Sequence, residues 1–273
     1  MATLARPLAL ITGASTGIGF HLARQAAERG FDLIIAANEP ELARAAEELR
    51  ALGARVEPVQ ANLATKEGCE QLIAAAERFG RPIEVLALNA GIGVPGDFTT
   101  ETKLDDELEL IQLNIVSTVR LAKWGARRMV DAGKGRILIT SSIAGIMPTP
   151  LQAVYGASKA FDLSFAASLR HELRDSGVTV TAVLPGPTDT EFFRRAGMED
   201  TKVAEEAVKN QPEEVAKQAF DALMAGKERI AAGNFSVKLQ GYLSRFMPET
   251  MKAEMHRKMS EHGSAQNPER SKR

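Results

Sequence analysis

Short apolar runs alternate with longer amphipathic segments through the first two-thirds of the chain, and this alternation narrows the possible folds more than any other feature. PLALIT (7–12), DLIIAA (32–37), RVEPVQ (55–60), IEVLAL (83–88), RILITS (136–141) and VTVTAVL (178–184) have the length and apolar character of buried strands. The segments between them are rich in Ala, Leu, Glu and Arg at helical spacing. ELARAAEELRALG, for example, follows Pro40 and stops at Gly53, which suits a helix end. Parallel strands need a crossover, so the expected class is α/β, a doubly wound parallel sheet of about seven strands with helices on both faces. A last strand, RIAAG (229–233), is expected after a helix opened by Pro212 and the acidic pair Glu213 and Glu214.

Composition removes several classes of function. The 273 residues are 44% hydrophobic, enough for a sizeable core, and 34 basic against 35 acidic residues leave no basic face for nucleic acid. A single cysteine, Cys69, and no visible signal peptide point to the cytoplasm. No apolar run reaches the ~18–20 residues of a membrane span. His21, His171, His256 and His262 are scattered without ligand spacing, so no metal site is expected. The chain reads as one domain over residues 1–260, with a helical extension over 234–260 and a frayed polar tail over 261–273. Residues 191–212 lack clean periodicity and read as a mobile loop with short helices. Met247, Met251, Met255 and Met259 recur every fourth residue after a start near Pro248. That is a packing stripe or, in the sharper reading, an adaptable lid or subunit contact.

Directly after the first strand comes TGASTGIG (12–19), leading into FHLARQAAERG. A strand, a glycine turn and a helix start form a phosphate cradle, because free N–H groups and the positive end of the helix dipole favour an anion there. Taken alone the loop is weak evidence. In one order, however, the chain carries TGASTGIG, NAG (89–91), Asn114, Ser142, YGASK (155–159) and PGPTDT (185–190). Together these resemble the short-chain dehydrogenase/reductase family in its single-domain branch, over roughly residues 6 to 235. The resemblance implies a Rossmann-type sheet, NAD or NADP, and hydride transfer between a nicotinamide and a carbonyl or secondary alcohol. It also implies a homodimer or homotetramer, with the helix carrying Tyr155 packed on its twofold mate.

In that pattern Tyr155 is the general acid and base, Lys159 lies one helical turn on, Ser142 orients the substrate oxygen, and Asn114 belongs to a proton relay behind the lysine. A free phenol titrates near 10, so proton transfer near neutrality asks for roughly three units, or about 4 kcal/mol. A cation at ~4 Å supplies about that much at an effective dielectric near 20. The cofactor residues carried over are Gly13, Ser15, Thr16, Gly17, Ile18 and Gly19 in the turn, and Asn38, Asn62 and Leu63 after the second and third strands. Asn89, Ala90 and Gly91, Tyr155 and Lys159, and Pro185, Gly186, Thr188 and Thr190 complete the set. Ala37 stands where members selective for NAD carry Asp, while Glu39 opposes a 2′-phosphate if it points inward; the balance leans slightly to NADP. Asn62 and Leu88 replace residues usual in the family, and neither change is expected to abolish binding.

The substrate pocket is drawn from Ile143, Met147, Gln152, Phe192, Phe193 and Met198, whose apolar bias suits an uncharged, moderately hydrophobic small molecule. Arg194 and Arg195 could attract an acidic substrate, but they read rather as a solvated loop pair. Two rival readings stand beside the enzyme. One is a cofactor-binding regulator without turnover. The other is a membrane-peripheral reductase of lipid-like substrates, using the Met-bearing helix with Lys252, Arg257 and Lys258, although membrane contact is not the expected state.

Overall fold

The computed structural model describes residues 6–208, 210–234, 237 and 247–265. Seven parallel strands form one sheet: β1 (Leu8–Thr12), β2 (Asp32–Ala37), β3 (Val56–Gln60), β4 (Ile83–Leu88), β5 (Gly135–Thr140), β6 (Val178–Pro185) and β7 (Arg229–Ala232), in the order β3-β2-β1-β4-β5-β6-β7. Each expected strand is present within a residue or two. Pro58, which cannot donate to a ladder, sits on the edge strand β3, where that loss is tolerated.

Side chains alternate across the sheet with period two. Ala9, Ile11, Leu33 and Ile35 pack against α1 (Gly17–Glu28), α2 (Leu42–Arg50) and α9 (Pro212–Met224), through Leu22, Leu49 and Phe220. Leu8, Leu10, Ile34 and Ile137 face the other layer, made by α3 (Lys66–Phe79), α5 (Thr118–Asp131) and α6 (Ala153–Glu172), through Leu72, Leu121 and Ala166. Local chemistry sets the ends. Thr65 accepts the Gly68 N–H at 3.0 Å to cap α3, and Gly80 closes the same helix at φ 72°.

Strand order reverses between β1 and β4, because the chain winds outward to β3 and then returns to the far side of β1. A crevice opens at the carboxyl ends of the strands at such a reversal, and ligands bind there. The helix leading toward α5, α4 (Leu104–Ile111), runs into a π-turn over Gln112–Ser117 that carries Asn114.

The C-terminal third holds the short helices expected over 191–212 and corrects two other expectations. Residues 191–212 hold α7 (Glu191–Arg195) and α8 (Lys202–Ala207), each begun by a threonine cap. The last helix, α10 (Glu249–Ser260), buries Lys252, His256 and Ser260 rather than the methionines: Met251 is exposed, while Met255 and Met259 turn toward the crevice. Residues 261–265, expected to fray, are docked instead. Asp200 accepts from Gly263 N–H at 2.9 Å and pairs with His262, and Ser264 Oγ accepts from Lys202 N–H at 2.9 Å. Residues 266–273 and most of 234–248 lie outside the described residues.

Candidate active site

A cleft of about 870 Å³ opens over the reversal point, and its lining includes every residue expected at the cofactor. Gly13 has φ +68°, a backbone state that a side chain disfavours. At Gly19 a Cβ would lie 2.0 Å from the Gly13 carbonyl oxygen, so only glycine lets the turn fold onto the helix start. Thr16 precedes α1 without a side-chain hydrogen bond to it, which leaves the first N–H groups of the helix turned to the cleft. Thr12 pins the neighbouring strand ends, its Oγ1 accepting from Asn89 N–H (2.9 Å) and Ala90 N–H (3.1 Å). The Asn89 side chain donates to the Thr12 carbonyl at 3.2 Å and accepts from Thr140 Oγ1 at 3.2 Å. Leu88, beside it, is buried core. This cradle fits a dinucleotide diphosphate.

Tyr155 and Lys159 line the floor, one turn apart on α6. Lys159 is buried. Its Nζ donates to the Thr140 carbonyl (2.9 Å) and to Asp162 Oδ2 (3.0 Å), which leaves one N–H of the ammonium for the cleft. Ser142, after β5, accepts from Ala144 N–H at 3.1 Å; its own proton has only a long contact of 3.5 Å to the Pro185 carbonyl. That hydroxyl is therefore free to turn to a ligand. Asn114 does not line the cleft. It is fully buried behind the wall, where Oδ1 accepts from Ile92 N–H and Nδ2 donates to the Ile92 carbonyl and to Ser158 Oγ, all at 3.0 Å.

Four residues were not expected at this site: from the sequence Asp162 and Asn210 pass without remark, while Arg195 and His256 read as solvated or ordinary helix residues. Asp162 is the first. It is buried one turn beyond Lys159, and burial pushes its carboxyl above the ordinary carboxylate range, with the Lys159 ammonium pulling it back only in part. The i,i+3 spacing from Lys159 was its available signal. Arg195 was read as solvated, yet it reaches from α7 to Glu39 (2.5 Å) and toward Thr16 Oγ1 (3.5 Å), while Ser15 Oγ donates to the same Glu39 carboxylate at 3.0 Å. Glu39 thus points into the cleft. Asn210 holds the 185–190 segment by donating to the Pro187 carbonyl at 2.7 Å, and nothing local in the sequence signals it. The fourth is His256, passed over as an ordinary helix residue.

At the substrate end, Ile143, Met147, Gln152, Phe192 and Phe193 line the cleft as expected. Met198 does not. It is fully buried beneath the wall, where its sulfur accepts from Gln152 Nε2 at 3.1 Å. Phe192 packs against the Tyr155 ring with centroids 5.4 Å apart. Met255, His256, Met259 and His262 close the far side. His256 Nδ1–H donates to the Pro150 carbonyl at 3.2 Å, beside Leu151, a non-glycine residue at φ 65°. Burial holds His256 below its ordinary 6.5, against the pull of that carbonyl. Groups of acidic, histidine or cysteine side chains able to hold a metal are absent among the described residues.

The sequence pattern of the short chain dehydrogenase family matches residues 7–201. A 3-oxoacyl-(acyl-carrier-protein) reductase of Synechocystis sp. is 36% identical over 222 residues, spanning 79% of this chain and 88% of that protein. Among solved structures, a short-chain dehydrogenase from Sphingobium yanoikuyae in complex with NADPH is 35% identical with a TM-score of 0.73, over 82% of this chain and 86% of that one. A short chain dehydrogenase/reductase from Burkholderia phymatum in complex with NAD is 26% identical with a TM-score of 0.74, over 84% and 90%.

Proposed function

The chain belongs to the short chain dehydrogenase family and is an NAD(P)-dependent oxidoreductase, and from that premise we propose that it interconverts an uncharged, moderately hydrophobic carbonyl compound and its secondary alcohol, with Tyr155 as general acid and base. The observation that carries the reading is the placement of Tyr155 beside a buried, hydrogen-bonded Lys159 on the floor of the cleft at the β1/β4 reversal. The bound nicotinamide supplies or takes up the hydride. Everything else falls to the side chains. In reduction Tyr155 gives its phenolic proton to the carbonyl oxygen as charge develops there, and Ser142 donates a hydrogen bond to the same oxygen. In oxidation the phenolate takes that proton back. The remaining N–H of Lys159 would hold the ribose of a bound cofactor, and Asn114 holds the 91–93 loop against α6.

Tyr155→Phe keeps the ring and removes the proton. Turnover then falls by about 10²–10⁴ while NADPH or NADH still binds in equilibrium titration. Normal turnover in that variant, across a structurally diverse panel of carbonyl compounds, refutes the role. A regulator without turnover is the weaker reading, since Ser142, Tyr155 and Lys159 all line the cleft. The membrane-peripheral reading loses a cation it needs, because Lys252 is buried and paired with Glu249 at 2.6 Å. No helix among the described residues is long and apolar enough to cross a membrane.

A slight preference for NADP rests on Arg195. An inward Glu39 alone disfavours a 2′-phosphate, but the guanidinium lying over it provides a cation that can move from carboxylate to phosphate. Association into homodimers or homotetramers through α6 is supported by its exposed small residues Ala153, Ala157, Ala160, Ser164 and Ala167, over which a second helix can approach closely. A cytoplasmic setting accords with the free, buried thiol of Cys69.

A further inference from the structure

Asp162 is a buried carboxylate to which the reaction above gives no part. Its side chain is withdrawn from solvent on α6, Oδ2 accepts from Lys159 Nζ at 3.0 Å, and Oδ1 has no hydrogen-bond partner among the described residues. Packing does not account for it. A half-satisfied buried ion pair serves a fold less well than an apolar side chain of similar volume. Its placement is specific to the proton machinery, since Tyr155, Lys159 and Asp162 fall at i, i+4 and i+7 and share one helical face.

We propose that Asp162 is a positioning residue for the proton step, anchoring the Lys159 ammonium and offsetting its charge so that Tyr155 gives up its proton at a higher pH than an unopposed lysine would set. The proposal rests on the reading of Tyr155 as the proton donor. Seven residues of helix separate Tyr155 and Asp162 by about 10 Å along the axis, where a unit charge at an effective dielectric near 20 shifts a titration by roughly one unit. The ammonium holds one proton on the Thr140 carbonyl and one on Asp162, so the carboxylate also fixes where the third can point.

Other charges surround the same helix. Among the elements packed against α6, β5 contributes Arg136 and α4 contributes Asp105, Asp106, Glu107 and Glu109; β6, the π-turn and the short 3-10 turn over 143–146 carry none. Among the described residues, Lys159 is the one charged group acting on Asp162. The cleft that Tyr155 faces also holds Glu101, Lys103, Asp106 and Glu109 at one rim, Glu39, Glu191 and Arg195 at another, and His256 and His262 from the C-terminal side. All of these are common to the wild type and a variant at 162, so they cancel in a comparison.

The test needs no turnover, because the sequence holds two tyrosines, Tyr155 and Tyr242. Tyrosinate absorbance of the cofactor-free protein is titrated, and the Tyr155→Phe titration is subtracted to isolate Tyr155. Asp162→Asn should move the Tyr155 midpoint down by about one pH unit. The acid limb of the pH profile for alcohol oxidation should move down with it. Identical midpoints in wild type and variant overturn the proposal, even if oxidoreductase activity is intact. A downward shift in the titration with no activity in either protein supports the electrostatic role and counts against the functional reading alone. Should Asp162→Asn not fold, Asp162→Val, which fills the site with apolar volume, is titrated instead. Failure of both to fold assigns Asp162 to the core and overturns the proposal as well.

Discussion

Replacing Asn114 by alanine tests whether the wall behind the cleft is held by one side chain. The amide makes three hydrogen bonds of 3.0 Å, two with the Ile92 backbone and one with Ser158 Oγ, and it is fully buried. Ser158 in turn donates to the Tyr155 carbonyl at 2.7 Å, so one residue of the π-turn ties the 91–93 loop to the first turn of the helix that carries the phenol. Each bond contributes about 1 kcal/mol net, and more where its partner is left buried without a substitute. The expected loss for Asn114→Ala is therefore about 3 kcal/mol. At ~2–4 °C per kcal/mol for a domain of this size, that lowers Tm by roughly 6–12 °C in calorimetry.

Asn114→Asp separates hydrogen bonding from volume. It keeps the acceptor for Ile92 N–H but replaces the donor by an oxygen facing the Ile92 carbonyl, so it should destabilise at least as much as alanine. Turnover should fall more than cofactor affinity in both variants, since the loop and Tyr155 are displaced while the phosphate cradle at Gly13–Gly19 is untouched. An Asn114→Ala protein melting within ~2 °C of wild type, with kcat unchanged, refutes the account of the wall.

Two further outcomes can be checked directly. Arg195→Ala should weaken NADPH binding about tenfold or more and leave NADH within about twofold, while Glu39→Gln should strengthen NADPH; equal effects on both cofactors exclude the guanidinium from the 2′ site. Because burial holds His256 below its ordinary 6.5, the unfolded chain binds more protons than the folded one between the two values, so stability falls as pH drops below 6.5. Amide exchange in α10, corrected for intrinsic rates, should speed up between pH ~7 and ~5.5 in wild type and stay flat in His256→Gln. The same acceleration in that variant removes the histidine from the explanation.

The sheet was legible because its signal is collective. Six apolar runs, each short enough to be ambiguous alone, fix a parallel sheet once they alternate with helical segments, and the β1/β4 reversal follows from that winding. The cradle and the Tyr155–Lys159 pair were legible for a different reason: close backbone approach restricts them to glycine and a single helical spacing. Met198 was misplaced because an apolar residue in an irregular segment carries no period to say which way it faces. The methionine stripe misled through its period. Spacing of four marks a face of α10 but not which face is buried, and tertiary contacts chose Lys252, His256 and Ser260. Asp162 was overlooked because a charged residue in a helix is ordinarily solvated, and only the fold reveals that its face looks inward.

The two ends of the cleft are held by different physics. The cofactor end rests on strand termini and glycine contacts in a core whose Leu8, Leu10 and Ile11 are fully buried, so it cannot move without opening the sheet. The outer rims are held by polar clasps drawn from distant parts of the chain: Arg195 on Glu39 beside the glycine turn, and His262 on Asp200 and His256 on the Pro150 carbonyl on the far side. The two ion pairs are exposed and contribute at most about 1 kcal/mol each, whereas the His256 hydrogen bond is buried and costs more to break. The short helix α7 joins the two sides, because Arg195 pairs with Glu39 beside Thr16 while Phe192 packs on the Tyr155 ring.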